Sequence, residues 1–193
     1  TCDGSVTMIL MGANTVTATG SNAAIKIGGP GTTLTITGSG SLTAQGGLEA
    51  AGIGTDRIED DELSFGNIVI NGGTVTATGG DFGAGIGTGL AQGEIYTTSI
   101  TCGDITINGG TVTATGGDFG PGIGTGVSQK WGGETTSNGC GNITIGAGVT
   151  SVTATKGSGS PNSIGKGYAQ GGTQNYGTIT IGGTEYSGGI ATS

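Results

Sequence analysis

Short stretches of strictly alternating apolar and polar residues recur along this chain, separated by glycine pairs. Residues 66–87 read GNIVINGGTVTATGGDFGAGIG, and residues 103–124 read GDITINGGTVTATGGDFGPGIG, 37 positions later. A looser copy starts at 141, the opening of another stands at 177, and divergent copies occupy 32–54 and 5–27. Within a copy, the period-2 run Asn67-Ile68-Val69-Ile70 predicts a first strand. Asn71-Gly72-Gly73 predicts a turn, because Asn and Gly adopt left-handed backbone angles cheaply. Thr74-Val75-Thr76-Ala77-Thr78 predicts a second strand, and Ala84-Gly85-Ile86-Gly87 a third segment with one inward Ile. The alternation places Ile68, Ile70, Val75, Ala77 and Ile86 inside, with Ile105, Ile107, Val112, Ala114 and Ile123 stacked on them.

Near-identical text at a fixed period predicts a solenoid, because each copy buries its apolar face only against its neighbours. The expected fold is all-β: a parallel β-helix (β-solenoid) of about five to six rungs, roughly 34–38 residues each, with three short strands per rung. Residues 1–193 form a single domain in this reading. Rungs stack about 4.8 Å apart. The competing architecture is an antiparallel sandwich of short strands, which copies this alike disfavour.

Composition agrees with a narrow interior. The chain has 48 Gly in 193 residues and only 9% charged residues, and its 32% of hydrophobic residues would not fill a large core. Glycine follows no three-residue period, which excludes collagen. The net charge of −8 argues against nucleic acid and against anionic membranes, and no apolar run is long enough to span a bilayer. Thr1, Cys2 and Asp3 resemble no leader, and the text starts and stops within strand-like sequence. The expectation is a piece of a longer secreted or cell-surface protein, with flanking domains of the same chain.

Cys102 and Cys140 precede Gly103 and Gly141 at the same repeat position, which Phe65 and Tyr176 hold in neighbouring copies. Stacking on adjacent rungs brings them within the Cα separation a disulfide needs, so a Cys102–Cys140 bridge is expected, with two buried free thiols as the alternative. Cys2 has no evident partner.

Catalysis finds little to work with. There is no His, which removes the commonest general base. Asp81 and Asp118 share a repeat position and are weak calcium candidates, although an Asp beside its own turn amides is the plainer reading; no other cofactor is expected. Asp56, Glu59, Asp60, Asp61 and Glu62 lack the spacing of a calcium loop and read as a solvated acidic loop. Gly85-Ile86-Gly87-Thr88-Gly89 superficially resembles a nucleotide loop but recurs without a following helix, so it reads as a structural turn. The chain is expected not to be an enzyme.

Two surfaces remain. The outward positions of the second strand carry Thr15, Thr17 and Thr19, then Thr43, then Thr74, Thr76 and Thr78, then Thr111, Thr113 and Thr115, then Thr153 and Thr155. Such a grid resembles the flat threonine faces of ice-binding (antifreeze) β-solenoids, but Thr also simply favours strands. The second surface is the edge from which the variable loops project, carrying Tyr96, Gln129, Lys130, Trp131, Glu134, Tyr168 and Gln170. Aromatic rings beside amides and carboxylates suit sugar rings, whose C–H faces stack while their hydroxyls bond. Rings packed as plugs at the rim are the alternative.

The cassette running Leu34 to Gly54, Asn67 to Gly89 and Asp104 to Gly126, with weaker continuation to Gly182, resembles glycine-rich β-helix repeats of large surface proteins of gut Firmicutes and related anaerobes. The resemblance covers most of the chain and implies a right-handed parallel β-helix in a secreted or wall-attached adhesin-like protein. It carries over no functional residues. The function expected is a non-catalytic adhesion module that recognises carbohydrate or host surface molecules through the loop edge. The alternatives are ice binding through the threonine face and a passive stalk.

Overall fold

A computed structural model describes residues 4–132 and 135–191. Every named element is a strand, and the strands stack in parallel into five sheets, so the chain winds as a coil of flat sides. Side A stacks Val6–Leu10, Thr33–Gly38, Asn67–Ile70, Ile105–Ile107, Ile143–Ile145 and Ile179–Ile181. Side B stacks Ala13–Thr17, Ser41–Gln45, Thr74–Thr78, Thr111–Thr115 and Ser151–Thr155. Side C stacks Ile25–Lys26, Ile53–Gly54, Ile86–Gly87, Ile123–Thr125 and Ile164–Lys166. Side D stacks Ile58–Glu59, Ala91–Gly93, Ser128–Lys130 and Ala169–Gln170, and side E stacks Glu62–Ser64, Thr98–Cys102, Thr136–Cys140 and Thr173–Asn175.

The expected three strands per rung therefore give way to five segments on each complete turn, because the variable loops themselves pair in register. The expected five to six rungs become about four turns among the described residues. Leu34, Ile68, Ile105, Ile143 and Ile179 stand one above the other, separated by 34, 37, 38 and 36 residues. The first strand lies only 28 residues before its partner, since Val6 pairs with Leu34, and that passage lacks sides D and E. At the other end, Thr184–Tyr186 folds back antiparallel on Ile179–Ile181, and Ile190 bridges Ile164.

The interior is the one the alternation predicts. Ile68, Ile70, Val75, Ala77 and Ile86 are fully buried, and Ile105, Ile107, Val112, Ala114 and Ile123 lie directly on them. One glycine ladder shows why the cassette repeats Ile-Gly. Gly54, Gly87, Gly124 and Gly165 stack on side C with φ between 126° and 147°. A Cβ on Gly87 would meet the carbonyl of Gly124, and one on Gly124 that of Gly165. Thr88, the residue after this step, is buried and bonds inward at 2.6 Å to Asn138 Oδ1, so the Gly-Ile-Gly-Thr-Gly text is a structural turn.

Cys102 and Cys140 are paired in register, as their repeat position requires. The expected disulfide is replaced by two buried free thiols. Hydrogen bonding to Cys140, then burial, pushes the Cys102 thiol well above its ordinary range. The thiolate that disulfide exchange starts from is thus disfavoured. Cys2 lies outside the described residues.

Candidate functional site

The variable loops do form one edge, but the residues expected there separate into three environments. Tyr168 leaves side C and packs against Phe119, with ring centroids 5.7 Å apart, while Phe119 stacks on Phe82 at 5.5 Å. It belongs to an aromatic ladder of its own. Gln129 is buried on side D, in register with Gln92, and donates from Nε2 to Gln170 Oε1 at 3.3 Å. Gln92 in turn accepts from Arg57 Nη2 at 3.1 Å and donates to Glu94 Oε1 at 2.7 Å. These amides are engaged with one another, so Gln129 is a rung-to-rung tie. Lys130 is half-buried at the end of the same strand, and Glu134 lies outside the described residues.

The most exposed of the expected rings lie at the corner between sides D and E. Tyr96 and Trp131 are each 65% exposed and Ile95 is 66% exposed. They are not packing plugs. The corner is built by stacking of three turns. Asp60 on the lowest has φ 50°, the one non-glycine residue with positive φ among those described. Its Oδ1 accepts from the backbone N–H groups of Glu94 at 2.8 Å, Ile95 at 3.0 Å and Tyr96 at 3.1 Å. The N–H of Trp131 then donates to the carbonyl of Gly93 at 2.9 Å. The bond from the Ile95 amide is the largest influence on Asp60, and the three amides together hold its carboxyl below the usual range.

The acidic loop is not merely solvated. Asp56 accepts from the Ala23 amide at 2.8 Å and pairs with Lys26 Nζ at 2.5 Å. Arg57 joins Glu49 at 3.1 Å to Glu59 at 2.7 Å. Asp61 Oδ1 accepts from the Glu62 amide at 2.8 Å. Sequence reasoning placed Asp60 among the loops but missed its part in building the corner, and it missed Ile95 altogether. An Asp within a run of acids carries no sign of a left-handed backbone, and Ile95 lies outside any periodic strand.

Side B carries the threonines. Its middle outward rank is Thr throughout: Thr15, Thr43, Thr76, Thr113 and Thr153. The flanking ranks are Ala13, Ser41, Thr74, Thr111, Ser151 and Thr17, Gln45, Thr78, Thr115, Thr155. Thr19 is corrected off this face. Leu10 pairs with Gly38 and Ala13 with Ser41, so the first copy enters side B two residues earlier than its letters suggest. None of the five strands bears a charged side chain.

Asp81 and Asp118, the calcium candidates, are exposed on successive turns. Among the described residues no group of three or more His, Cys, Asp or Glu gathers where a metal ion could be held.

A family model described as a beta helix repeat matches residues 34–56, 68–90 and 105–127. The chain is a parallel β-helix repeat protein. The three matched segments each run through sides A, B and C of successive turns and stop before side D or at its threshold. What this β-helix shares with the matched repeat is thus the part of the coil that holds the Ile, Val and Gly ladders. Sides D and E, with the exposed corner, lie outside the matched text. No curated protein and no solved structure matches the chain.

Proposed function

We propose that this β-helix is a non-catalytic adhesion module of a secreted or surface protein, and that it recognises carbohydrate or host surface molecules through the corner between sides D and E. The observation that carries this reading is the joint exposure of Ile95, Tyr96 and Trp131 at one corner on two consecutive turns, stacked through the Trp131 amide on the Gly93 carbonyl. Clustered exposed apolar groups on a soluble surface mark contact sites. Rings next in the chain to polar groups, as Trp131 is to Lys130, offer the mix of stacking and hydrogen bonding that sugars take. The adhesin-like setting follows the resemblance of the repeat text to surface proteins, and the right hand follows the rule for parallel crossovers. The test is an array of plant, mucin and microbial glycans followed by calorimetry. Retention on at least one glycan class, weakened about tenfold or more by Trp131→Ala, is expected, since truncating a central aromatic contact costs over about 1 kcal/mol. Absence of binding across the array removes the sugar reading.

A second reading rests on side B. Its unbroken threonine rank across five strands, without charge, suits an ordered-water surface, so ice binding is the alternative. Thermal hysteresis in the parent, abolished by Thr76→Tyr together with Thr113→Tyr, is its signature. A parent without hysteresis ends it.

A further inference from the structure

We infer that Asp60 is the positioning residue of the exposed corner: its carboxylate fixes the backbone that presents Ile95 and Tyr96 and, through it, the seat of Trp131. The inference rests on the reading of this corner as the binding edge.

Backbone amides at the other corners are tied up the coil without strain. Asn67 Oδ1 accepts from the Asp104 amide at 2.8 Å, Asp104 Oδ1 from the Asn142 amide at 2.7 Å, and Asn142 Oδ1 from the Thr178 amide at 2.9 Å. Each takes one amide, from ordinary backbone. Asp60 takes three consecutive amides, and Ile95 also reaches its Oδ2 at 3.2 Å. It does so from a left-handed conformation that a side-chain-bearing residue rarely adopts. Strain of this kind persists only where the surroundings over-determine it, and it concentrates at functional sites.

The neighbouring carboxylates are occupied elsewhere: Glu59 by Arg57, Asp61 by the Glu62 amide and Glu94 by Gln92. Asp60 alone addresses the next turn's corner. From there the order passes upward. The Gly93 carbonyl receives the Trp131 amide, and Gly132 sits so close over the Glu94 carbonyl that a Cβ would collide with it. Loosening residues 93–96 therefore unseats the segment that carries Trp131, the single tryptophan of the chain.

The test compares the parent with Asp60→Gly and Asp60→Asn. Glycine adopts the left-handed backbone freely and removes the carboxylate alone. Asparagine keeps one acceptor oxygen. Four quantities are read: melting temperature, hydrogen exchange of the Ile95 and Tyr96 amides, acrylamide quenching of Trp131, and retention on immobilised plant, mucin and microbial glycans. Asp60→Gly is expected to melt close to the parent yet exchange these two amides about tenfold faster or more, with altered Trp131 quenching, as local opening without global unfolding requires. Asp60→Asn should restore most of both. Parent-like exchange and quenching in Asp60→Gly, or an Asn variant no better than the Gly variant, overturns the inference. Retention separates it from the broader reading. A glycan that holds the parent and releases Asp60→Gly supports both. Equal retention with a loosened corner overturns the role of Asp60 in presentation and leaves the binding edge standing. A parent held by no glycan removes the binding reading, and with it the assignment of Asp60 as a positioning residue for binding, while exchange and quenching still decide whether Asp60 orders the corner.

Discussion

At Asp60 a charge does work that no apolar contact does. Its carboxyl is held below the ordinary range by the Ile95 amide first, then those of Glu94 and Tyr96. A depressed folded-state value means that ionisation and the native corner favour each other. The contribution is complete above the ordinary carboxylate range, and it is lost as pH falls through the lowered folded-state value. The corner should thus keep its full order at neutral and mildly acid pH, while unpaired carboxylates already titrate, and loosen toward the level of Asp60→Asn only in stronger acid. Exchange of the Ile95 amide followed against pH checks this, and a release midway through the ordinary carboxylate range would contradict it. Cys102 shows the opposite sign: contact with Cys140 and burial raise it, so it remains a thiol at neutral pH.

Among the elements, sides A, B and C were legible from sequence because Ile, Val, Leu and Ala alternate there and glycine marks each bend. Sides D and E were not, for a physical reason. Their segments are two to five residues long, and their inward positions are partly polar. Asn138 is fully buried and bonds to Thr88 Oγ1, to the Gly89 carbonyl at 2.8 Å and to the Val127 carbonyl at 3.0 Å. Such a residue satisfies buried backbone without leaving a hydrophobic period. Thr19 was misplaced because text similarity yields to turn length: the step from Leu10 to Ala13 matches that from Gly38 to Ser41, and this sets the register. The same ladders predict where substitution hurts most. Gly124 has φ 132°, and a Cβ there would press on the Gly165 backbone. Gly124→Ala combines left-handed strain with a backbone clash and should cost about 2–4 kcal/mol. Gly182, at φ 56° with open space around it, bears only the conformational part of that cost, and Gly182→Ala should cost less. Chemical denaturation of the two variants ranks them, and equal losses would mean that close approach across side C is not what selects glycine.

The whole coil is close to one-dimensional, since each turn pairs with the turns directly before and after it. Stability in such a stack is a sum of turn and interface contributions, so whole turns are removable where fractions are not. The register defines the unit. Ile105 pairs with Ile68 below and Ile143 above, and equivalent triplets hold on the other sides: Thr74, Thr111 and Ser151; Ile86, Ile123 and Ile164; Ala91, Ser128 and Ala169; Ser99, Ser137 and Thr173. Deletion of residues 105–142 joins Asp104 to Ile143 and brings every upper strand onto its new neighbour in an allowed register. Gln174, which bonds to Thr125 Oγ1 and the Gly126 carbonyl of the removed turn, would then stand where Asn138 stood, over the equivalent Thr88 and Gly89, and it keeps its bond to the Tyr168 carbonyl at 2.6 Å within its own turn. The shortened chain should fold into the same strand-rich coil and unfold cooperatively at lower denaturant. Deletion of residues 105–123 removes side A and side B of one turn but keeps its sides D and E, so no register satisfies all five sides, and that chain should fail to fold. Circular dichroism with denaturant titration distinguishes the two. Because the whole-turn deletion also removes Trp131, it keeps the scaffold and Thr-bearing ranks on the remaining turns while deleting the top of the exposed corner. Its glycan retention should fall to that of Trp131→Ala, whereas a function seated on side B would lose only one strand of five.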